Sequence, residues 1–162
     1  MAGALTATPT TLYAEALKVA IGHEKSKAAD LMGLAEKSRL GAKLMFTELA
    51  TEALLYLNSL VVEFEHVLEL DEIPEGEDSD TYYEQPSPVT ERFVLPEEFT
   101  LPEQAILVAI AKTVESQRFY ESHAARDGEE RSRKFFTSCA QRMQRRAADL
   151  KEEYERNVMT QM

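Results

Sequence analysis

The chain has 162 residues and a formal charge of −11, and 44% of its residues are hydrophobic and 29% charged, a composition typical of one soluble globular domain spanning 1–162. A single cysteine excludes an internal disulfide framework and a four-cysteine zinc or iron site. The acidic balance argues against nucleic acid as a partner, the opening residues lack an apolar signal region, and the longest apolar run, 54–62, is too short to span a bilayer. We therefore expect a cytoplasmic protein with no nucleic-acid or membrane partner.

The first half of the chain predicts a helical hairpin over 11–68. Inward-facing residues recur at spacings of three and four, which is the pattern of one helix face. The stripe of the first helix is Leu17, Ala20, Ile21, Glu24, Ala28, Leu31 and Ala35, and that of the second is Phe46, Leu49, Ala53, Tyr56, Leu60 and Val67. We expect the break between the two helices near 38–41.

An acidic, proline-rich segment follows at 69–103. It holds 12 acidic residues and one arginine, a net charge of −11, together with five of the six prolines. Proline removes a backbone donor and disfavours regular helix, so this composition predicts an extended connection with little helix. Such a run is typical of a solvated loop; the alternative is a surface that contacts cations or a basic protein.

The last part of the chain predicts a second helical hairpin over 104–157. Thr100 is predicted as the N-cap of its first helix, with Glu103 three residues later, and the sequence 126–128 should end that helix. The two stripes are Ile106, Ala109, Ile110, Thr113, Gln117, Tyr120 and Ala124, and then Ser132, Phe136, Cys139, Met143, Arg146 or Ala147, Leu150 and Tyr154. Two short loops and one long crossover therefore predict an all-α four-helix bundle built from two antiparallel hairpins, and we expect the first and third helices to run parallel.

Four phrases carry a resemblance to a known family: ALKVAIGHEKSKAADL at 16–31, KLMFTELATEALLYL at 43–57, AILVAIAKTVESQRFY at 105–120 and RSRKFFTSCAQRMQRRAADLKEEYE at 131–155. With them the chain resembles the rubrerythrin-like branch of the ferritin-like superfamily. The resemblance implies a ferritin-like bundle in which two irons lie between the helices. Their ligands are one glutamate from each of two helices and a Glu-x-x-His pair from each of the other two.

The resemblance also implies that most of this ligand set is lost. The six family ligand positions correspond here to Glu24, Ala53, Tyr56, Thr113, Met143 and Arg146. Only Glu24 is still a ligand, and an arginine cannot bind a cation at any attainable pH. We therefore expect a degenerate di-iron site and no cofactor.

A lone carboxylate in the bundle interior would be costly, so Glu24 needs a partner. We predict that Arg146, Tyr56 or both pair with Glu24, while the other three vacated positions fill the remaining volume. The alternative is that Arg146 extends outward, Ala147 takes the core position, and Glu24 is protonated or hydrated.

The other chemically active residues are expected to be structural. Glu63 and His66 form the one Glu-x-x-His of the chain, well past the expected site, and predict exposed polar surface or an adventitious surface metal site. His23 is turned about 100° from Glu24 along its helix and is predicted to lie on the surface. His123 is predicted to cap or to be exposed, and Cys139 to fill core.

The sequence is compatible with three functions. The first is a non-catalytic ferritin-like bundle that acts as a binding or structural homodimer. The second is an iron-binding or peroxide-handling oxidoreductase that uses iron through a displaced set of Glu24, Glu48, Glu52 and His23, a hypothesis that rests on family analogy. The third is a scaffold whose segment 69–103 docks on a basic partner.

The homodimer prediction follows from the composition of the second helix. Beyond its inward stripe this helix also has apolar residues at Leu54, Leu55, Leu57 and Val61, so it is apolar on more than half of its circumference.

Overall fold

The computed structural model describes residues 9–71 and 99–161, which form four α-helices and no strand. The helices are α1 (Pro9–Lys37), α2 (Leu40–Asp71), α3 (Pro102–Arg126) and α4 (Glu130–Gln161). The all-α prediction is confirmed for these two ranges. Most of the predicted crossover, residues 72–98, lies outside the described residues, and its first three residues belong to α2.

The predicted break between α1 and α2 lies at residues 38–39. Ser38 Oγ donates a hydrogen bond to the carbonyl of Leu34 at 2.6 Å, which satisfies one of the last carbonyls of α1. Leu40 then has φ 55°, in the left-handed region that reverses the chain direction. The side chain of Leu40 is exposed, so no neighbouring side chain has to make room for it in this backbone conformation.

The α1–α2 turn is tied to the residues that precede α3. The amide of Arg39 donates to the carbonyl of Phe99 at 2.8 Å, and the amide of Ala42 donates to the carbonyl of Thr100 at 3.0 Å. Two amides that a helix start leaves without an intrahelical acceptor are thus satisfied by another part of the chain. These bonds fix the turn of the first helix pair against the beginning of the second.

The start of α3 differs from the predicted cap. Leu101, not Thr100, is the residue that precedes the helix, and Pro102 occupies its first position. Gln104 Oε1 accepts the amides of Thr100 at 3.1 Å and of Leu101 at 3.0 Å, so the side chain inside the helix caps the residues before it. The Thr100 cap was wrong because Gln104, rather than Glu103, reaches back to this backbone. The predicted end of α3 is confirmed, since the helix ends at Arg126.

Gly41 provides a stability prediction at this junction. A Cβ at Gly41 would lie 2.6 Å from Cγ of Pro102, whereas a Cβ at Gly33, inside α1, would meet nothing within 4 Å. We expect Gly41→Ala to lower the unfolding free energy by about 1–3 kcal/mol through overpacking. The matched control, Gly33→Ala, should raise it by about 0.5–1 kcal/mol through helix propensity. Urea unfolding of both variants would measure this, and equal effects at the two glycines would contradict the close packing at Gly41.

The core consists of two apolar layers separated along the bundle. One layer is built around Phe46, Phe99, Ile106 and Leu150, and the other around Leu17, Ile21, Leu60, Tyr120 and Phe136. The first layer takes the C-terminal half of α1 and the N-terminal half of α3, and the second takes the opposite halves. Along α1, Glu24 lies between the residues of the second layer and those of the first, and its side chain is fully buried.

The contacts between α1 and α3 correct the predicted parallel orientation. Asp30 on α1 pairs with Lys112 on α3, whereas Glu24, earlier on α1, meets Tyr120, later on α3. Residue numbers that rise on one helix and fall on the other mean that α1 and α3 run in opposite directions. The expectation was wrong because α3 begins beside the start of α2, where Arg39 and Ala42 bond to the residues that precede α3, and the long segment between α2 and α3 allows this arrangement.

Part of the surface of α2 is apolar and exposed within the described ranges. Leu44, Leu54, Leu55 and Val62 are exposed by 43–69% of their surface. The prediction that Leu57 and Val61 also lie on this outer face was wrong, because both are half-buried and pack against the core. Over residues 40–69 this helix is long and apolar enough to cross a membrane by length and composition alone, a test that core helices of soluble proteins also pass. The homodimer and the absence of a membrane partner stay predictions.

Candidate functional site

All four helices contribute to one cavity in the middle of the bundle. The cavity has a volume of about 340 Å³ and reaches the exposed side of α4. The six positions singled out from the sequence all line it, namely Glu24, Ala53, Tyr56, Thr113, Met143 and Arg146. The structure therefore brings together the residues that the sequence analysis assigned to a vacated metal site.

Glu24 is held by two side chains that the sequence analysis did not pair with it. Lys27 Nζ lies 2.8 Å from Glu24 Oε1, and Tyr120 OH donates a hydrogen bond of 2.6 Å to Glu24 Oε2. Oε1 has the ion pair but no well-oriented hydrogen bond within the described residues. Burial acts to raise the pKa of Glu24, but the Lys27 ammonium and the Tyr120 hydroxyl outweigh it and lower that pKa. Glu24 is thus an ionised carboxylate at neutral pH.

The predicted partners of Glu24 point elsewhere. Arg146 Nη2 pairs with Glu52 Oε2 at 2.8 Å at the rim of the cavity, while the neighbouring Ala147 is buried. The hydroxyl of Tyr56 lies 3.3 Å from Cys139 Sγ. The prediction that Arg146 or Tyr56 pairs with Glu24 was wrong, because the long arginine stem carries its charge outward to solvent. The alternative was right about Arg146 and Ala147 and wrong about a protonated Glu24.

Two spacings in the sequence could have identified the actual partners. Lys27 follows Glu24 by three residues, and residues three apart lie side by side on a helix. Tyr120 follows Thr113 by seven residues, or two helical turns, and so shares the inward stripe of α3. Both partners were missed because the sequence pattern predicts that a lysine beside an inward stripe is exposed, and that a tyrosine on such a stripe belongs to the apolar core.

The environment of His23 is aromatic and polar at once. Its Nε2 lies 2.8 Å from Ser116 Oγ, and its ring stacks on Phe119 with centroids 4.1 Å apart and an interplanar angle of 11°. Burial lowers the pKa of His23 to about 4 against the opposing effect of Glu24, so the imidazole is neutral at pH 7. The surface prediction for His23 was wrong, because a turn of 100° from Glu24 directs it into the α1–α3 contact.

Three other candidates are placed by the structure without forming a site. His66 is exposed, as predicted, and Glu63 is half-buried where its Oε1 lies 3.5 Å from Tyr13 OH. His123 is half-buried with its ring centroid 5.0 Å from that of Phe136, so the prediction of an exposed side chain was wrong, while its carbonyl accepts the amide of Asp127 at the end of α3. These contacts are those of packing residues.

The displaced metal set is not assembled. Within the described ranges no three His, Cys, Asp or Glu side chains come together as a group that could hold a metal ion. Glu48 is exposed, Glu52 pairs with Arg146, and His23 contacts Ser116. The residues present around Glu24 therefore do not fit a di-iron centre.

Cys139 gives a chemical prediction. It fills core as expected, with 2% of its surface exposed, and burial raises the pKa of its thiol to about 11. Because the thiolate is the reactive form, we expect Cys139 in the native protein to resist a thiol reagent such as Ellman's and to react fully in denaturant. The absorbance of the released chromophore measures this, and fast native labelling would contradict the burial.

The charged residues around the cavity are mostly basic. Three acidic side chains line it, Glu24, Glu52 and Asp149, against five basic ones, Lys27, Lys112, Arg142, Arg145 and Arg146. Lys112 is buried and pairs with Asp30 at 3.2 Å, and the guanidinium of Arg142 lies over the Tyr56 ring, 3.9 Å from its centroid. The lining thus has two more basic than acidic side chains, although one of the basic ones, Lys112, is paired with a carboxylate outside the lining.

We compared the chain with protein-family models, with curated proteins and with solved structures, and none of the three comparisons finds a match.

Proposed function

We propose that this protein is a non-catalytic, cytoplasmic ferritin-like bundle of the rubrerythrin-like type whose di-iron site has become a binding cavity. The observation that carries the proposal is the Lys27 ammonium 2.8 Å from the buried Glu24 carboxylate. At the one ligand position that is retained, a protein cation contacts the carboxylate that a metal would otherwise neutralise. Such a site needs no metal to keep Glu24 ionised, and it leaves the cavity open for a different ligand.

Contacts across the helix pairs support the antiparallel hairpins of this proposal. Tyr13, near the start of α1, reaches Glu63, near the end of α2. Tyr120, near the end of α3, packs on Phe136, near the start of α4. The inter-helix contacts, largest between α1 and α2 and between α3 and α4, are those expected of two hairpins joined by a crossover. Residues 69–103 would make that crossover.

Ferrous iron titration tests the loss of the metal centre. We expect anaerobic addition of Fe²⁺ to give no saturable stoichiometric binding, and exposure to oxygen to give no ferric-oxo absorption band tied to the protein. Glu24→Gln serves as the matched control, since it removes the single retained ligand. Stoichiometric iron binding that disappears in Glu24→Gln would overturn the proposal and favour the di-iron oxidoreductase.

We further propose that the protein works as a homodimer through the exposed apolar side of α2. Large apolar side chains exposed along one helix are typical of an interface. We expect sedimentation velocity to give a dimer and Leu55→Glu with Val62→Glu to give a monomer with unchanged helix content. A wild-type monomer at high micromolar concentration would contradict this part of the proposal.

A further inference from the structure

We propose that the cavity binds a small amphipathic carboxylate, a monoanionic acid with an aliphatic or aromatic tail. This inference rests on the proposed function, because it assumes that the space between the helices is a binding site rather than a metal centre. It is carried by the charge of the lining, by the arrangement of the rim and by the apolar side chains beside it.

The charge of the lining selects an anion. Of the five basic side chains of the lining, Lys27, Lys112 and Arg146 are each paired with a carboxylate, so the attraction for an anion comes from the two arginines of the rim. Within the described ranges, neither Arg142 nor Arg145 at the exposed rim forms an ion pair. Lys27, deeper in the cavity, is committed to Glu24. An incoming anion therefore meets two arginines at the mouth of the cavity.

The rim favours a carboxylate over a doubly charged phosphate. The guanidinium of Arg142 lies on the Tyr56 ring at 3.9 Å, which holds the planar group in place. A planar guanidinium pairs with a planar carboxylate through two parallel hydrogen bonds. Glu52 and Asp149 line the same cavity and repel a second negative charge. A single negative charge matches this mixture best.

The interior beside the rim is apolar and provides room for a tail. Leu49, Ala53, Ala109 and Met143 are buried side chains of the lining, and three of the four helices contribute them. The volume of about 340 Å³ is within the usual range of small-molecule sites. The side chains at positions 53 and 109 are both alanines, and their small size leaves this space open. The apolar part of the acid would pack here while its carboxylate stays at the arginines.

Calorimetric titration with matched probes tests the inference. We expect sodium octanoate to bind saturably with one site per chain and at least tenfold more tightly than octan-1-ol, which has the same tail without the charge. Inorganic phosphate, which has the charge without the tail, should bind at least tenfold more weakly than octanoate. Octanol or phosphate that binds as tightly as octanoate would overturn the inference.

Two variants locate the site. Arg142→Gln with Arg145→Gln should weaken octanoate binding at least tenfold, and Ala53→Leu, which fills the interior, should do the same. Arg133→Gln, an exposed position of α4 outside the lining, should leave binding unchanged. Octanoate binding that is equal in the double arginine variant and in Arg133→Gln would overturn the inference. Stoichiometric iron binding would overturn the proposed function instead, so the two failures are distinguishable.

Discussion

Lys27→Met is expected to lower the unfolding free energy by about 3–5 kcal/mol. The substitution leaves the Glu24 carboxylate fully buried without its cation, and breaking one side of a buried ion pair costs this amount. Tyr120 still donates one hydrogen bond, but one neutral hydroxyl does not replace a full positive charge. Urea unfolding followed by circular dichroism measures the change.

The double variant Lys27→Met with Glu24→Gln separates the charge from the packing. Removing both charges removes the uncompensated carboxylate, so most of the loss should be recovered. The matched control is Lys134→Met, whose ion pair with Glu130 is exposed on both sides, and this variant should change stability by less than about 1 kcal/mol. Equal losses in Lys27→Met and Lys134→Met would show that the Glu24 pair contributes nothing special.

The stripes of the four helices could be predicted from sequence because periodicity reports which face of a helix is inward. Glu24 and the five vacated positions were identified through the family resemblance, and their places on the stripes agree with the finding that all six line one cavity. The helix ends near 37 and at 126 followed from local breaks in the pattern. These features depend on residues close together in the chain, where spacing carries the information.

The pairing inside the cavity could not be predicted in the same way. Arg146 and Ala147 are adjacent residues about 100° apart, so the stripe allows either of them to face inward. Burial of the small alanine and exposure of the arginine head is the less costly choice, and the structure adopts it. The partner of Glu24 then comes from its own helix, at Lys27. Choosing among such arrangements needs the three-dimensional distances and the desolvation of each charge.

The surroundings of His23 imply that the protein loses stability in mild acid. The pKa of His23 is about 4 in the folded protein and about 6.5 in an unfolded chain. Between these values the unfolded chain binds more protons than the folded one, so the unfolding free energy falls as the pH falls from 6.5 to 4. The full shift corresponds to about 3 kcal/mol at pH 4. The pKa of Glu24 is also lowered in the folded protein, so Glu24 adds to the loss of unfolding free energy only at pH values below the ordinary pKa of a glutamate.

The measurement is the difference in unfolding free energy between wild type and His23→Gln across pH 7 to 4. Glutamine does not titrate, so the wild type should lose about 3 kcal/mol relative to this variant over that interval, while the contribution of Glu24 largely cancels. His66→Gln, which replaces an exposed histidine of α2, is measured beside it as the matched control. A pH profile that is the same in His23→Gln and in wild type would mean that the pKa of His23 is not lowered in the folded protein. The imidazole would then have to lie outside its stack on Phe119, exposed to water.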